Sequence, residues 1–336
     1  MDYLEFTEYV KQNYETLNNI GIGCDHCKLR RNCRLHRKSV NIESVLGMQE
    51  DESSFPKWTV RFVQNHPGLL KAVPAFVYTK MYGYYDMPQF GCLFHAKEII
   101  SHLNEVKKTY ELLKDEVSKA IYLNVLTYRM TLDDKYINEA KSSNSQYFIP
   151  PFCGGFDEVY VDCGAYIGDT FQEYCNHNSF PKIAYLFEPD KNNLCRIEEL
   201  VPKYERSTDV RIIRKGLYKH SGELYFKENK NGSSSFLAEE SVEGSVKLDV
   251  TTIDDSIDGK VDFIKMDIEG SETDAILGAK RTISTFYPKL AICIYHYINN
   301  LWDLPLMIHE MFPEYANYEV RHYTNNFSET VLYVYK

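Results

Sequence analysis

The sequence has no long apolar run. Nothing in it approaches the ~20 consecutive apolar residues that a membrane-spanning helix requires. Its first residues, MDYLEFTEYVKQNYE, lack both the basic segment and the apolar core of a signal peptide. Positive charge is in deficit: 38 Lys and Arg stand against 48 Asp and Glu, for a net charge of -10. That balance argues against a broad nucleic-acid surface, because phosphates must be met by clustered cations. No internal repeat or low-complexity tract is present. The nine cysteines are odd in number and carry no export signal with them, so they read as reduced thiols in a cytoplasmic protein. What is plentiful is apolar and aromatic material. Hydrophobic residues make up 44%, enough for a real core, and 27 Tyr and 18 Phe are present. Tyrosine lines sugar and lipid-headgroup sites, and it is also an ordinary core-edge residue.

The length allows two domains. A linker is expected where Ser142, Ser143, Asn144 and Ser145 are followed by Pro150-Pro151 and Gly154-Gly155. Residues 1–150 then form a mainly helical accessory or acceptor-binding region. Within it, 98–113 and 117–132 carry apolar residues at three- and four-residue spacing, and 1–20 reads as a further amphipathic helix. Residues 151–336 alternate strands with helices. Strands are expected at 158–162, 183–187, 210–213, 261–266 and 289–295, helices at 166–175, 190–201 and 271–284, and a hairpin at 318–323 and 329–335. This is the pattern of an α/β fold, a Rossmann-like sheet with helices on both faces. Such sheets bind ligands beyond the carboxyl ends of their strands. The polar stretch around Gly232 and Ser233 to Ser235 reads as a loop closing over an acceptor or as a disordered insert.

The chemistry gathers at those strand ends. Val161-Asp162-Cys163-Gly164-Ala165-Tyr166-Ile167-Gly168-Asp169-Thr170 follows a strand and opens a helix. Gly164 allows a tight turn and close approach of a ligand to the backbone, and Gly168 lets the helix pack on the strand. Tyr166 stands where a dinucleotide fold has its middle glycine, so a pyrophosphate loses its place. S-adenosylmethionine has no phosphate and needs less room there. Asp162 is the candidate for its ammonium group, directly or through water. Glu188, in Phe187-Glu188-Pro189-Asp190, ends the next strand at the spacing where an acidic residue meets ribose hydroxyls. Gly216-Leu217, after the third strand, is the expected adenine position.

Val261-Asp262-Phe263-Ile264-Lys265-Met266-Asp267-Ile268-Glu269-Gly270-Ser271-Glu272 is followed by Ala275, Leu277, Gly278 and Ala279. With the two preceding motifs, this segment resembles the FkbM methyltransferase family over roughly residues 157–296. The family's hallmark is a strand running into Lys, a hydrophobic residue, Asp, a hydrophobic residue, then Glu-Gly-x-Glu. The resemblance implies the class I methyltransferase fold and S-adenosylmethionine-dependent O-methylation of sugars, polyketides and related metabolites. Asp267, at the end of its strand, faces the methyl group in this reading. With Glu269 it orients an acceptor hydroxyl, takes its proton, or holds a divalent cation. Glu272 is assigned to capping the following helix. His296 ends the next strand beside Asp267 and is the candidate general base.

One cluster falls outside these motifs. Cys24, Cys27, Cys33 and His36 lie in GCDHCKLRRNCRLHRK at a density that suits Zn²⁺, with an iron–sulfur cluster as the second choice and free thiols in a basic turn as the plain one. The expected activity is methylation of a hydroxyl on a sugar, polysaccharide or glycolipid precursor, with a small-molecule or glycan acceptor and no nucleic acid. The alternative is a nucleotide-sugar or dinucleotide oxidoreductase on a similar sheet.

Overall fold

A computed structural model describes residues 2–18, 95, 98–131, 133–153, 155, 157–177, 180–228, 235–238 and 245–336. The chain divides into two compact units. One comprises Met1–Lys107, Ala120–Ala140 and Asn325–Phe327; the other comprises Lys108–Lys119, Lys141–Thr324 and Ser328–Lys336.

The first unit is helical where it is described. Helices α1 (Tyr3–Asn18), α2 (Leu103–Leu112), α3 (Glu116–Thr131) and α4 (Asp134–Ala140) appear in that order, with α2 and α3 each passing into the second unit. Phe6, Val10, Ile99 and Ile137 are buried within the first unit. The periodic apolar spacing at 117–132 produces α3 almost as expected, whereas the helix expected from 98 is regular only from Leu103.

In the second unit the expected alternation is present. Strand β1 (Val159–Cys163) leads to α5 (Asp169–His177), β2 (Ile183–Phe187) to α6 (Lys191–Leu200), and then comes β3 (Asp209–Ile213). The short pieces β4 (Gly216–Leu217), β5 (Gly222–Glu228), β6 (Ser235–Ala238) and β7 (Val246–Thr251) precede α7 (Ile253–Ser256). After them come β8 (Phe263–Met266), α8 (Glu272–Leu277), α9 (Lys280–Phe286), β9 (Lys289–Cys293), α10 (Asn300–Met311), β10 (Asn317–His322) and β11 (Thr330–Tyr335).

Seven strands form one sheet in the order β10-β11-β9-β8-β1-β2-β3, parallel except for the β10–β11 hairpin and its β11–β9 edge. Strand β1 is buried throughout, which matches its central place. Succession moves outward from β1 through β2 to β3 on one side and from β8 to β9 on the other. The crevice between the ends of β1 and β8 is therefore the switch point at which α/β sheets bind ligands. An aromatic core lies beneath the sheet, with Tyr160 stacked on Tyr174 at 4.6 Å and Phe152 edge-on to Tyr333 at 4.9 Å.

Three elements differ from the expectation. The described parts of the polar stretch before β8 form a second sheet, β4-β7-β5-β6, in which Ser235 begins β6. Sparse apolar residues suffice there, because Leu217, Leu224 and Val250 are buried while Glu223 and Asp249 are exposed. Gly232, Ser233 and Ser234 lie outside the described residues. The single helix expected over 271–284 is two, α8 and α9, broken at Gly278. A Cβ at that glycine would fall on the carbonyl oxygen of Tyr218, so only glycine fits at the break. Helix α10 contains Pro305, and its buried Leu301, Trp302, Leu304 and Ile308 carry it. Among the described residues, no helix is long and apolar enough to cross a membrane.

Candidate active site

The turn after β1 is built from left-handed backbone. Gly164, Tyr166 and Gly168 have φ of 79°, 48° and 83°. The N–H groups of Gly164 and Ala165 both donate to the Phe187 carbonyl, at 3.1 and 3.0 Å, which ties the turn to the end of β2. Glu188 completes that tie. Its Oε2 accepts from the Tyr166 N–H at 2.9 Å, and its Oε1 accepts from the Asp190 N–H at 2.9 Å and from Asn193 Nδ2 at 3.3 Å. Glu188 is buried, which raises its pKa, while these donors pull it down. The structure brings Tyr166, Glu188 and the two glycines together at the ends of β1 and β2. Leu217 lies in β4 of the second sheet and is buried.

Asp162 is a correction. It is fully buried inside the sheet, and its Oδ1 stands 3.0 Å from Lys265 Nζ. Burial raises the Asp162 carboxyl, and the lysine opposes that rise. The side chain is thus spent on an internal ion pair and does not face a ligand's ammonium group. Lys265 also donates to the Gly164 carbonyl at 2.8 Å. Burial works against its charge, yet Asp162 and Asp267 hold its pKa above the ordinary lysine range. Lys265 therefore locks the turn after β1 to β8.

Asp267 follows β8 at the switch point, with its N–H donating to the Cys163 carbonyl at 3.0 Å. A Cβ on Gly164 would fall on the Asp267 carbonyl oxygen, so the two strand ends abut. The Asp267 carboxylate is held from several sides. Tyr147 Oη donates to Oδ2 at 3.0 Å, Tyr295 Oη reaches Oδ1 at 3.4 Å, and His296 Nε2 stands 3.4 Å from Oδ1. His296 also places Nε2 3.6 Å from Glu269 Oε2 and Nδ1 3.1 Å from Glu272 Oε1. Glu329 adds a fourth carboxylate, near Asp267 and Cys293 and hydrogen-bonded by Gln146. Three non-glycine residues here have positive φ: Tyr147 at 68°, Glu269 at 56° and Glu329 at 63°. Such backbone costs on the order of 1–3 kcal/mol per residue and gathers at functional sites.

His296 is the second correction. Its side chain is 7% exposed, and both ring nitrogens already face carboxylates. Burial opposes charge on the ring, but Glu272, Asp267 and Glu269 outweigh it and raise the pKa to about 9. Both ring nitrogens are turned into the carboxylates, so His296 sits at the centre of the cluster rather than facing outward to an acceptor. Glu272, assigned to a helix cap, does take the N–H groups of Ile268 and Gly270, at 3.1 and 3.3 Å, but it also reaches the imidazole. Tyr147, Tyr295 and Glu329 were missed. Tyr147 lies 120 residues before Asp267, and no local spacing could have announced it. Cys24, Cys27, Cys33 and His36, with the zinc or iron–sulfur assignment made on them, lie outside the described residues.

The match to known families decides what these strand ends serve. Residues 162–321 match the methyltransferase FkbM domain, a span that opens on Asp162 and takes in Glu188, Asp267 and His296. Those residues form a methyltransferase FkbM domain. Among solved structures it is similar to an FkbM methyltransferase from Methylobacillus flagellatus, at 27% identity and a TM-score of 0.65, covering 85% of this chain and 72% of that one. An rRNA methylase from Streptococcus thermophilus matches at 11% identity over 62% of this chain and 95% of the other, with a TM-score of 0.34. A precorrin-6y C5,15-methyltransferase from Geobacter metallireducens matches at 13% identity over 54% and 79%, with a TM-score of 0.32. No curated protein matches the chain. The protein that carries this domain is an S-adenosylmethionine-dependent methyltransferase, and the oxidoreductase alternative is not supported.

Proposed function

We propose that the protein methylates a hydroxyl of a sugar, polysaccharide or glycolipid precursor, with residues 1–150 as an accessory region that recognises the acceptor. The observation that carries this reading is the abutment of Gly164 and Asp267. It sets the glycine turn of the donor site directly against the held carboxylate. The residues of the turn suit the donor: Gly164, with no side chain, lets the turn lie against Asp267, and Glu188 Oε2, which among the described residues accepts only the Tyr166 N–H, keeps a lone pair for a ribose hydroxyl at the end of β2. S-adenosylmethionine, when bound, supplies an electrophilic methyl group.

The chain's own residues then act on the acceptor. Asp267, fixed by Tyr147 and Tyr295, orients the acceptor hydroxyl so that its oxygen lies in line with the methyl group. The new O–CH₃ bond forms as the sulfur–methyl bond breaks. The hydroxyl proton passes to Glu269, whose side chain is 56% exposed and so reaches outward from the cluster. His296 holds the carboxylates in place. Tyr166 and Tyr297, both exposed, offer ring faces to a sugar.

Calorimetry of the full chain with S-adenosylhomocysteine and with NAD tests the donor assignment. Saturable binding of the first and none of the second is expected; a folded protein that binds only NAD ends the proposal. Asp267→Asn should then lower kcat for a methylated acceptor by about 10²–10⁴-fold while S-adenosylhomocysteine affinity stays near that of the parent. A near-normal kcat would remove Asp267 from the chemistry.

A further inference from the structure

The carboxylate cluster holds more negative charge than its one imidazole balances. Asp267, Glu269 and Glu272 all face His296, and Glu329 stands beside Asp267. Lys265 is close, but its ammonium is taken by Asp162 and the Gly164 carbonyl. Within the cluster, one oxygen each from Asp267 and Glu272 and one nitrogen of His296 lie within 4.8 Å of one another. Two of the three side chains are almost wholly enclosed: Glu272 is 0% exposed and His296 is 7% exposed. Glu272 Oε2 and both ring nitrogens of His296 are buried without a well-formed hydrogen bond. Buried polar atoms in native proteins have partners, and such a set signals a group yet to arrive.

The backbone keeps the set in place. Glu272 Oε1 is held by two main-chain N–H groups, and Gly270, at φ 98°, bends the chain so that Glu272 turns back toward β8. A Cβ on Gly270 would strike the Tyr297 ring, so the turn is closely packed against the residue after His296.

We propose that Asp267, Glu272 and His296 bind one divalent first-row transition-metal ion. One imidazole with two carboxylates is a mixed nitrogen and oxygen donor set, which suits Mn²⁺, Fe²⁺ or Zn²⁺ better than it suits a purely oxygen-seeking ion. Three protein ligands leave coordination positions open, as catalytic sites do. The role of the ion rests on the methyltransferase reading: beside Asp267 it would lower the pKa of an acceptor hydroxyl and leave less for Glu269 to do. Binding of the ion does not rest on that reading.

The test is a Mn²⁺ titration of the chelator-treated full chain, followed by electron paramagnetic resonance. Mn²⁺ is the probe because it avoids the thiolates of Cys24, Cys27 and Cys33. Saturation at one ion per chain is expected. Glu272→Gln and His296→Ala should each weaken it by about tenfold or more, and His296→Gln serves if the alanine variant does not fold. Glu329→Gln, outside the triad, should keep the ion. S-adenosylhomocysteine affinity, measured on the same samples, reports that each variant is folded. The proposal is overturned if the parent shows no saturable Mn²⁺ binding, or if folded triad variants bind it as the parent does. Mn²⁺ binding in a chain that ignores S-adenosylhomocysteine would keep the metal site and sink the donor assignment instead.

Discussion

Lys265 and Glu188 each hold the turn after β1 in place, and single substitutions test what each does. Lys265→Met removes the ammonium that pairs with the buried Asp162 carboxylate. Breaking a buried pair from one side costs about 3–5 kcal/mol, because a lone charge stays behind. A large fall in Tm by calorimetry is expected, with much of it recovered when Asp162→Leu is added; no recovery would mean that the Gly164 carbonyl contact matters more than the charge. Glu188→Ala should lower S-adenosylhomocysteine affinity at least tenfold, since a hydrogen bond to a charged group contributes roughly 1.5–3 kcal/mol. Unchanged affinity in a folded variant would remove Glu188 from the ribose site. His95, in the helical unit, is held far below its ordinary 6.5, at about 3, first by burial and then by Arg129. The unfolded chain takes up this proton near pH 6.5 and the folded one only near 3. The stability that neutral His95 contributes is therefore intact above pH 6.5 and is lost as pH falls toward 3. Thermal unfolding below pH 6.5 should be steeper in pH for the parent than for His95→Phe; identical slopes would refute the assignment.

At the scale of elements, the contact that matters most is between the turn after β1 and the end of β8. Gly164 needs both its φ of 79° and its missing side chain, since Cβ would overlap the Asp267 carbonyl. Gly164→Ala should therefore separate the donor turn from Asp267. Loss of S-adenosylhomocysteine binding with retained far-ultraviolet circular dichroism is the expected result, and parental affinity would show that the abutment is dispensable. The central strands were legible because burial on both faces gives continuous apolar runs such as Ile183–Phe187. The second sheet was not legible, because its strands bury few side chains and read as polar loop. The break between α8 and α9 was hidden for another reason: both halves keep one apolar periodicity, and the approach of the Tyr218 carbonyl to Gly278 leaves no trace in it.

For the whole molecule, the order of strands turns separate motifs into one site. Sequence alone determined the glycine turn, the acidic end of β2, the Asp267 motif and the resemblance to the FkbM domain, because each is local and recurs at fixed spacing. It also placed Asp267 and His296 at or just beyond the ends of two strands read from their apolar runs, which the structure pairs in parallel as β8 and β9. Only the tertiary structure decided what those residues do. Asp162 looked like a ligand-facing carboxylate until β8 placed Lys265 beside it. His296 looked like a free base until Glu272 and Glu269 closed around its ring from the following turn. Tyr147 had no signal at all, because its partner Asp267 lies 120 residues away. The physical reason is common to all three. A side chain's charge and reach depend on burial and on neighbours brought in by strand pairing, and neither is written in the spacing of residues along the chain.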